Sequence, residues 1–267
     1  LSDEHHGHSS VTERRFLNGP AYGEHGCQAD DLLSHQFAGR DEPAGALSAR
    51  HRTILCADEE QPEQRGCRPA ACYQQIDVTS PDAPAQLQEL IDKLGGMDLY
   101  FHSSGIGWQN NTLDIEKELK TVETNGLGFT RMVDTAFNWF ATHHQNNSKA
   151  RIACISSIAG TKGLGAAPAY SATKRFQNHY LECLSQQARM RHLPIAITDI
   201  RPGFVKTDLI AGSSYPLQLK PEDVAKHIVS AIENGEEVKV IDWRYDILVF
   251  LWRLIPRWLW TRLKITT

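Results

Sequence analysis

The chain is 267 residues long, 41% hydrophobic and 22% charged, with a net charge of −4. That length and apolar fraction exclude a wholly disordered chain and suffice for one large domain or two small ones. The mildly acidic balance leaves a nucleic-acid partner without support, and no apolar run reaches the roughly 18 residues that cross a bilayer.

Leu1 to Ser10 is polar and His-rich rather than apolar, so no secretory leader is visible and the chain reads as cytoplasmic. Residues 1–75 form an atypical segment with one Val, one Ile, half of the 12 histidines and four of the six cysteines. Buried parallel strands need Val- and Ile-rich runs. None of four residues is present, so no strand is expected there. The break in composition before Asp77 has two readings, a polar extension or a stretch with a shifted reading frame. Cys27, Cys56, Cys67, Cys72, Cys154 and Cys183 fit no disulfide framework. Neither Cys56, Cys67 and Cys72 with His51 nor the cluster His5, His6, His8 matches a metal module, so no metal is expected.

From Ile76 onward the hydrophobic pattern becomes periodic. Residues 84–94 place Leu87, Leu90, Ile91 and Leu94 at helical spacing, stopped by Gly95-Gly96. MDLYFHSSGIG (97–107) reads as a buried strand running into a turn, and 115–143 as one long helix with apolar positions Leu119, Val122, Phe129, Val133, Phe137 and Phe140. RIACISS (151–157) is a strand followed by a Gly-rich loop, 168–191 a helix, and PIAITDI (194–200) a strand. A helix follows Pro221, with Glu222 and Asp223 in its first turn to meet the helix dipole. EVKVID (237–242) is the last strand. Strands alternating with helices predict a three-layer, doubly wound parallel α/β sheet whose N-terminal third is atypical.

Tyr170 and Lys174 stand four apart on the helix of 168–191 and so share a face. An ammonium beside a phenol favours the phenolate and would make Tyr170 a general acid or base. Ser157 ends a strand, where its hydroxyl can bond a carbonyl oxygen on which charge develops. Strand alternation lets only one of Ser156 and Ser157 serve.

In order and spacing, ISSIAG with AYSATK and then DIRPGFVKTDL resemble the short-chain dehydrogenase/reductase family across residues 76–242, the expected catalytic core. The resemblance implies a Rossmann-like fold and reversible hydride transfer between NADP or NAD and a small-molecule ketone or secondary alcohol. The alternative is a non-catalytic binding or scaffold protein of the same fold. It implies catalytic roles for Asn125, Ser157, Tyr170 and Lys174, with Asn125 helping to hold a water in the proton relay. Cofactor contacts are implied at Asp77, Val78, Ser103, Ser104, Gly105, Tyr170, Lys174, Pro202, Gly203, Val205 and Thr207. NADP is preferred; Arg40 faintly resembles the residue that neutralises its 2′-phosphate but reads better as a surface arginine. A homodimer or homotetramer built on the two long helices is implied as well. Two departures stand out. The family's Asn-Asn-Ala-Gly is His102-Ser103-Ser104-Gly105 here, and its N-terminal Gly-rich turn is not readable: Gly19, Gly23 and Gly26 are wrongly spaced.

Residues 243–267 form a third segment, with Trp243, Trp252, Trp258 and Trp260 among Arg244, Arg253, Arg257, Arg262 and Lys264. Trp beside Arg is the composition of a peripheral, interfacial membrane contact, which would make the substrate lipid-like. It is equally the composition of a helix covering the protein's own cleft or meeting a second subunit.

Overall fold

The computed structural model describes residues 53–56, 74–143, 150–206, 215 and 217–265. Their five strands make one parallel sheet in chain order: β1 (Thr53–Cys56), β2 (Leu99–His102), β3 (Ala150–Ile155), β4 (Ile195–Pro202) and β5 (Val238–Ile241). Thr53 pairs with Leu99, Leu99 with Arg151, Ala150 with Ile195 and Asp199 with Val238. β1 corrects the expectation that nothing before residue 76 forms a strand. Ile54 and Leu55 are too short a run to stand out by pattern, yet pairing with β2 carries a four-residue strand. His5, His6, His8, Gly19, Gly23, Gly26, Cys27, Arg40, His51, Cys67, Cys72 and Thr207 lie outside the described residues.

Alternation along the strands feeds two cores. Tyr100, Ile152, Cys154, Ile195 and Ile197 face one side of the sheet, against α1 (Ala83–Lys93), α3 (Phe129–His143) and α4 (Pro168–Met190). Leu99, Phe101, Ala153 and Ile200 face the other, against α5 (Pro221–Asn234) and Tyr245 and Val249 of α6 (Trp243–Leu254). This is the expected three-layer arrangement, in which β2 is buried along its whole length. Each fully buried Leu, Ile or Phe contributes roughly 1.5–3 kcal/mol. α1 stops where the chain turns left-handed at Gly95 (φ 68°) and Gly96 (φ 124°), a conformation that glycine adopts without strain.

The expected single helix of 115–143 is three pieces. α2 (Ile115–Val122) begins at Asp114, whose carboxylate accepts from the Glu116 N–H at 3.1 Å. A π-helical turn, Glu123–Gly128, follows, and α3 continues from it. Such a turn carries one extra residue and is concentrated at functional sites. α7 (Arg257–Trp260) closes the described chain, set off from α6 by Pro256. No helix among the described residues is long and apolar enough to cross a membrane.

Candidate active site

Ser157 follows β3 and caps the 3-10 turn Ile158–Gly160, where its Oγ accepts from the Ala159 N–H at 3.1 Å. That bond occupies a lone pair and leaves the hydroxyl proton to point elsewhere. The Ser157 side chain is close enough to the Tyr170 phenol to lower its pKa. Ser156 faces the other way, into a buried network with Asp199, Asn178 and the Ile200 carbonyl, and Arg201 pairs with Asp199 at 2.6 Å. The alternation of β3 thus separates a structural serine from a site serine.

α4 presents Tyr170, Lys174 and Gln177 along one stripe. Lys174 is 4% exposed, and its Nζ donates to the Ile155 carbonyl and to Gln177 Oε1, each at 3.0 Å. Both acceptors are uncharged. A buried ammonium so held is costly to keep, and costly charges concentrate at functional sites. The Nζ lies 5.7 Å from the centre of the Tyr170 ring. The expected lowering of the Tyr170 pKa by Lys174 is corrected: burial pushes the phenol up, partly offset by Ser157. With the ammonium 5.7 Å from the ring centre, desolvation is the largest influence on the phenol.

Asn125 lies in the π-helical turn and is fully buried. Its side chain clamps the loop after β2, accepting from the Ile106 N–H at 2.9 Å and donating to the Ile106 carbonyl at 2.7 Å. Its own carbonyl accepts from Gln177 Nε2 at 2.9 Å. Gln177 therefore bridges Asn125 and Lys174 directly. Sequence reasoning missed Gln177; its place three residues after Lys174, on the same stripe, was the available signal. It missed Gly107 too. A Cβ there would fall 2.3 Å from the Tyr170 ring, so only glycine lets the loop lie flat against it.

Ser103, Ser104 and Gly105 continue β2 at the same end of the sheet; a Cβ on Gly105 would come within 3.3 Å of Asn125 Oδ1 and of Lys174 Nζ. His102 just before them is buried, with Nδ1 2.9 Å from the Tyr100 hydroxyl. Burial first, and the Lys174 charge second, push its pKa down to about 3, against the Ser104 backbone, which raises it. Pro202 ends β4, and the bare Gly203 accommodates the Tyr245 ring, which a Cβ would meet at 2.2 Å. Val205 is buried in the second core and bridges to Leu219. Val78 is buried in the first core beside Gly128, so any contact it makes with a ligand is through its main chain. The Asp77 carboxylate accepts from the Thr79 N–H at 2.9 Å and its hydroxyl at 2.7 Å, closing a local turn.

Residues 46–215 match the family described as short chain dehydrogenase, and the match begins before the composition break at residue 76. An uncharacterized oxidoreductase of Myxococcus xanthus is 27% identical over 187 residues, 68% of this chain and 72% of that protein. Dehydrogenase/reductase SDR family member 7B of Xenopus laevis is 25% identical over 63% of this chain and 55% of its own length. Among solved structures, a short chain dehydrogenase from Burkholderia cenocepacia in complex with NADP superposes with a TM-score of 0.60. It is 17% identical and aligns over 72% of this chain and 77% of that one. A 3-ketoacyl-(acyl-carrier-protein) reductase from Brucella melitensis complexed with NADH aligns with a TM-score of 0.55, at 18% identity, over 62% of this chain and 75% of that one.

Proposed function

Because this chain belongs to the short-chain dehydrogenase family, we propose that it is a nicotinamide-dependent oxidoreductase that reduces a ketone to a secondary alcohol. The observation that carries this reading is the convergence of Ser157, Tyr170 and Lys174 with Asn125, joined through Gln177 at the C-terminal end of the sheet. Ligands of open α/β sheets bind outside that end.

The residues fit the nicotinamide-ribose half of a dinucleotide. Gly105 leaves its main chain bare beside the buried Lys174 ammonium, a cradle that a Cβ would fill. Lys174 and the Ser103 to Gly105 main chain would hold the ribose, and Pro202 and Gly203 would border the nicotinamide. A bound reduced nicotinamide supplies the hydride to the carbonyl carbon. Ser157 donates to the carbonyl oxygen and so favours the charge that develops there. Tyr170 gives its phenolic proton to that oxygen, completing the alcohol. Burial pushes the phenol up, so it is protonated at neutral pH, the state a proton donor needs; in the reverse reaction it takes the proton back. Relatives in complex with NADP and with NADH are both known, and we favour NADP. Self-association on the two long helical elements is part of the same reading, since Leu119, Val122, Leu127 and Phe176 are exposed on them.

Titrating NADPH and NADH against the full chain while following cofactor fluorescence tests the proposal, with Tyr170→Phe as companion. The parent should bind at least one of them. Tyr170→Phe should bind equally but lose about 100- to 10,000-fold in turnover, the usual contribution of general acid catalysis. A folded chain that binds neither nucleotide would favour the non-catalytic binding role, and a Tyr170→Phe enzyme within tenfold of the parent would refute the assignment.

A further inference from the structure

We propose that α6 and α7 form a docking surface for an anionic lipid bilayer, placed beside the substrate side of the active site. α6 is apolar on two opposite faces. Tyr245 and Val249 point into the second core. Trp243, Ile247, Phe250, Leu251 and Leu254 recur at i, i+4, i+7, i+8 and i+11, making a stripe along the opposite side, each more than half exposed. Trp258, Leu259 and Leu263 extend the apolar surface through α7. Single exposed apolar residues are ordinary, whereas a contiguous stripe of large ones marks a contact surface.

Charge decides what that contact is. Arg253, Arg257, Arg262 and Lys264 are exposed around the stripe, with Asp246 the one acidic side chain among residues 243–265. Residues 243–267 hold five basic side chains and one acidic one in a chain whose total is −4, so positive charge is concentrated in this segment. A second copy meeting the patch face to face would set arginine against arginine. An anionic headgroup layer instead complements the basic rim while its acyl region takes up the Trp, Phe and Leu side chains.

Hydrogen bonds tie the surface to the site. Trp252 Nε1 donates to Thr161 Oγ1 at 3.0 Å and Trp260 Nε1 to the Gly163 carbonyl at 2.7 Å. Lys162 Nζ donates to the Ile255 carbonyl at 2.7 Å and stands 5.4 Å from the centre of the Trp260 ring. Residues 161–163 lie between Ser157 and Tyr170 in the chain, so the docked helices hold the loop that flanks both. A substrate dissolved in the bilayer would then reach Tyr170 from the membrane side; this part alone rests on the proposed hydride chemistry.

Co-sedimentation of the full chain with vesicles provides the test. We expect binding to vesicles of equal parts phosphatidylglycerol and phosphatidylcholine, little to phosphatidylcholine alone, and release by salt. Replacing Arg253, Arg257 and Arg262 together by Gln should lower partitioning about a hundredfold. The double variant Phe250→Asp, Leu254→Asp should lower it by at least about tenfold. Circular dichroism checks that each variant is folded. The proposal is overturned if the folded parent stays in the supernatant with anionic vesicles at low salt, or if both variants bind like the parent. It is equally overturned if the apolar variant splits a dimer, seen by sedimentation velocity, while vesicle binding is absent. No nucleotide is needed for docking, so its failure and failure of cofactor binding are read separately.

Discussion

Lys174 can only stay charged in its buried setting if acceptors surround it, and Gln177 is one of them. The amide accepts at Oε1 from Lys174 and donates at Nε2 to Asn125, so it fixes the ammonium relative to the π-helical turn. Gln177→Leu should leave the Asn125 carbonyl buried without this donor, at roughly 1–3 kcal/mol of stability. If Gln177 positions Lys174, turnover should fall by about tenfold with KM for the carbonyl substrate little changed. A loss of melting temperature with turnover intact would reduce Gln177 to a packing role. His102 offers a second measurement. Its folded pKa, about 3, lies below the ordinary 6.5, so the unfolded chain binds the extra proton between those values. The associated stability is complete above about pH 6.5 and is lost on acidification at up to about 1.4 kcal/mol per pH unit. His102→Asn should flatten this slope between pH 6.5 and 4, as followed by urea unfolding of parent and variant. Identical slopes would show that His102 is not the group responsible.

The π-helical turn holds two glycines whose surroundings differ. A Cβ on Gly126 meets only Val122 Cγ1, at 3.9 Å, whereas one on Gly128 would press on Val78 Cβ and Cγ2 at 3.0 Å. Gly126→Ala should therefore stabilise the protein by about 0.5–1 kcal/mol through the unfolded chain. Gly128→Ala should destabilise it by about 1–3 kcal/mol through overpacking. Chemical denaturation of the two variants should move the midpoint in opposite directions, and movement in the same direction would contradict the packing described. This element also shows where pattern reading stops. Residues 115–143 carry one helical periodicity, and a single extra residue within a turn leaves apolar spacing on either side intact. The pattern therefore specifies helix throughout and carries no sign of the turn that seats Asn125. β1 failed for the opposite reason: Ile54 and Leu55 make too short a signal until β2 supplies a partner.

Over the whole molecule, the strands and helices between residues 76 and 242 were legible because their apolar residues recur at a helical or strand period, whereas α6 and α7 were visible only as a composition. Ser157, Tyr170 and Lys174 were legible as a spacing. Gly107 and Gln177 were not, since their value depends on which surfaces meet across the fold. The C-terminal composition pointed to a contact, but only the structure separates the inward face of α6 from the outward one. The sheet has a further consequence. Among the described residues its strands stand in space in the order in which they stand in the chain, from β1 to β5. During synthesis, each strand from β2 onward would leave the ribosome to find its neighbour already made, and the sheet could grow by addition at one border as domains commonly do. α6 and α7 follow every one of those strands. The greasy surface would thus emerge only after the strands of the body that carries it, and be the last of these elements to be exposed.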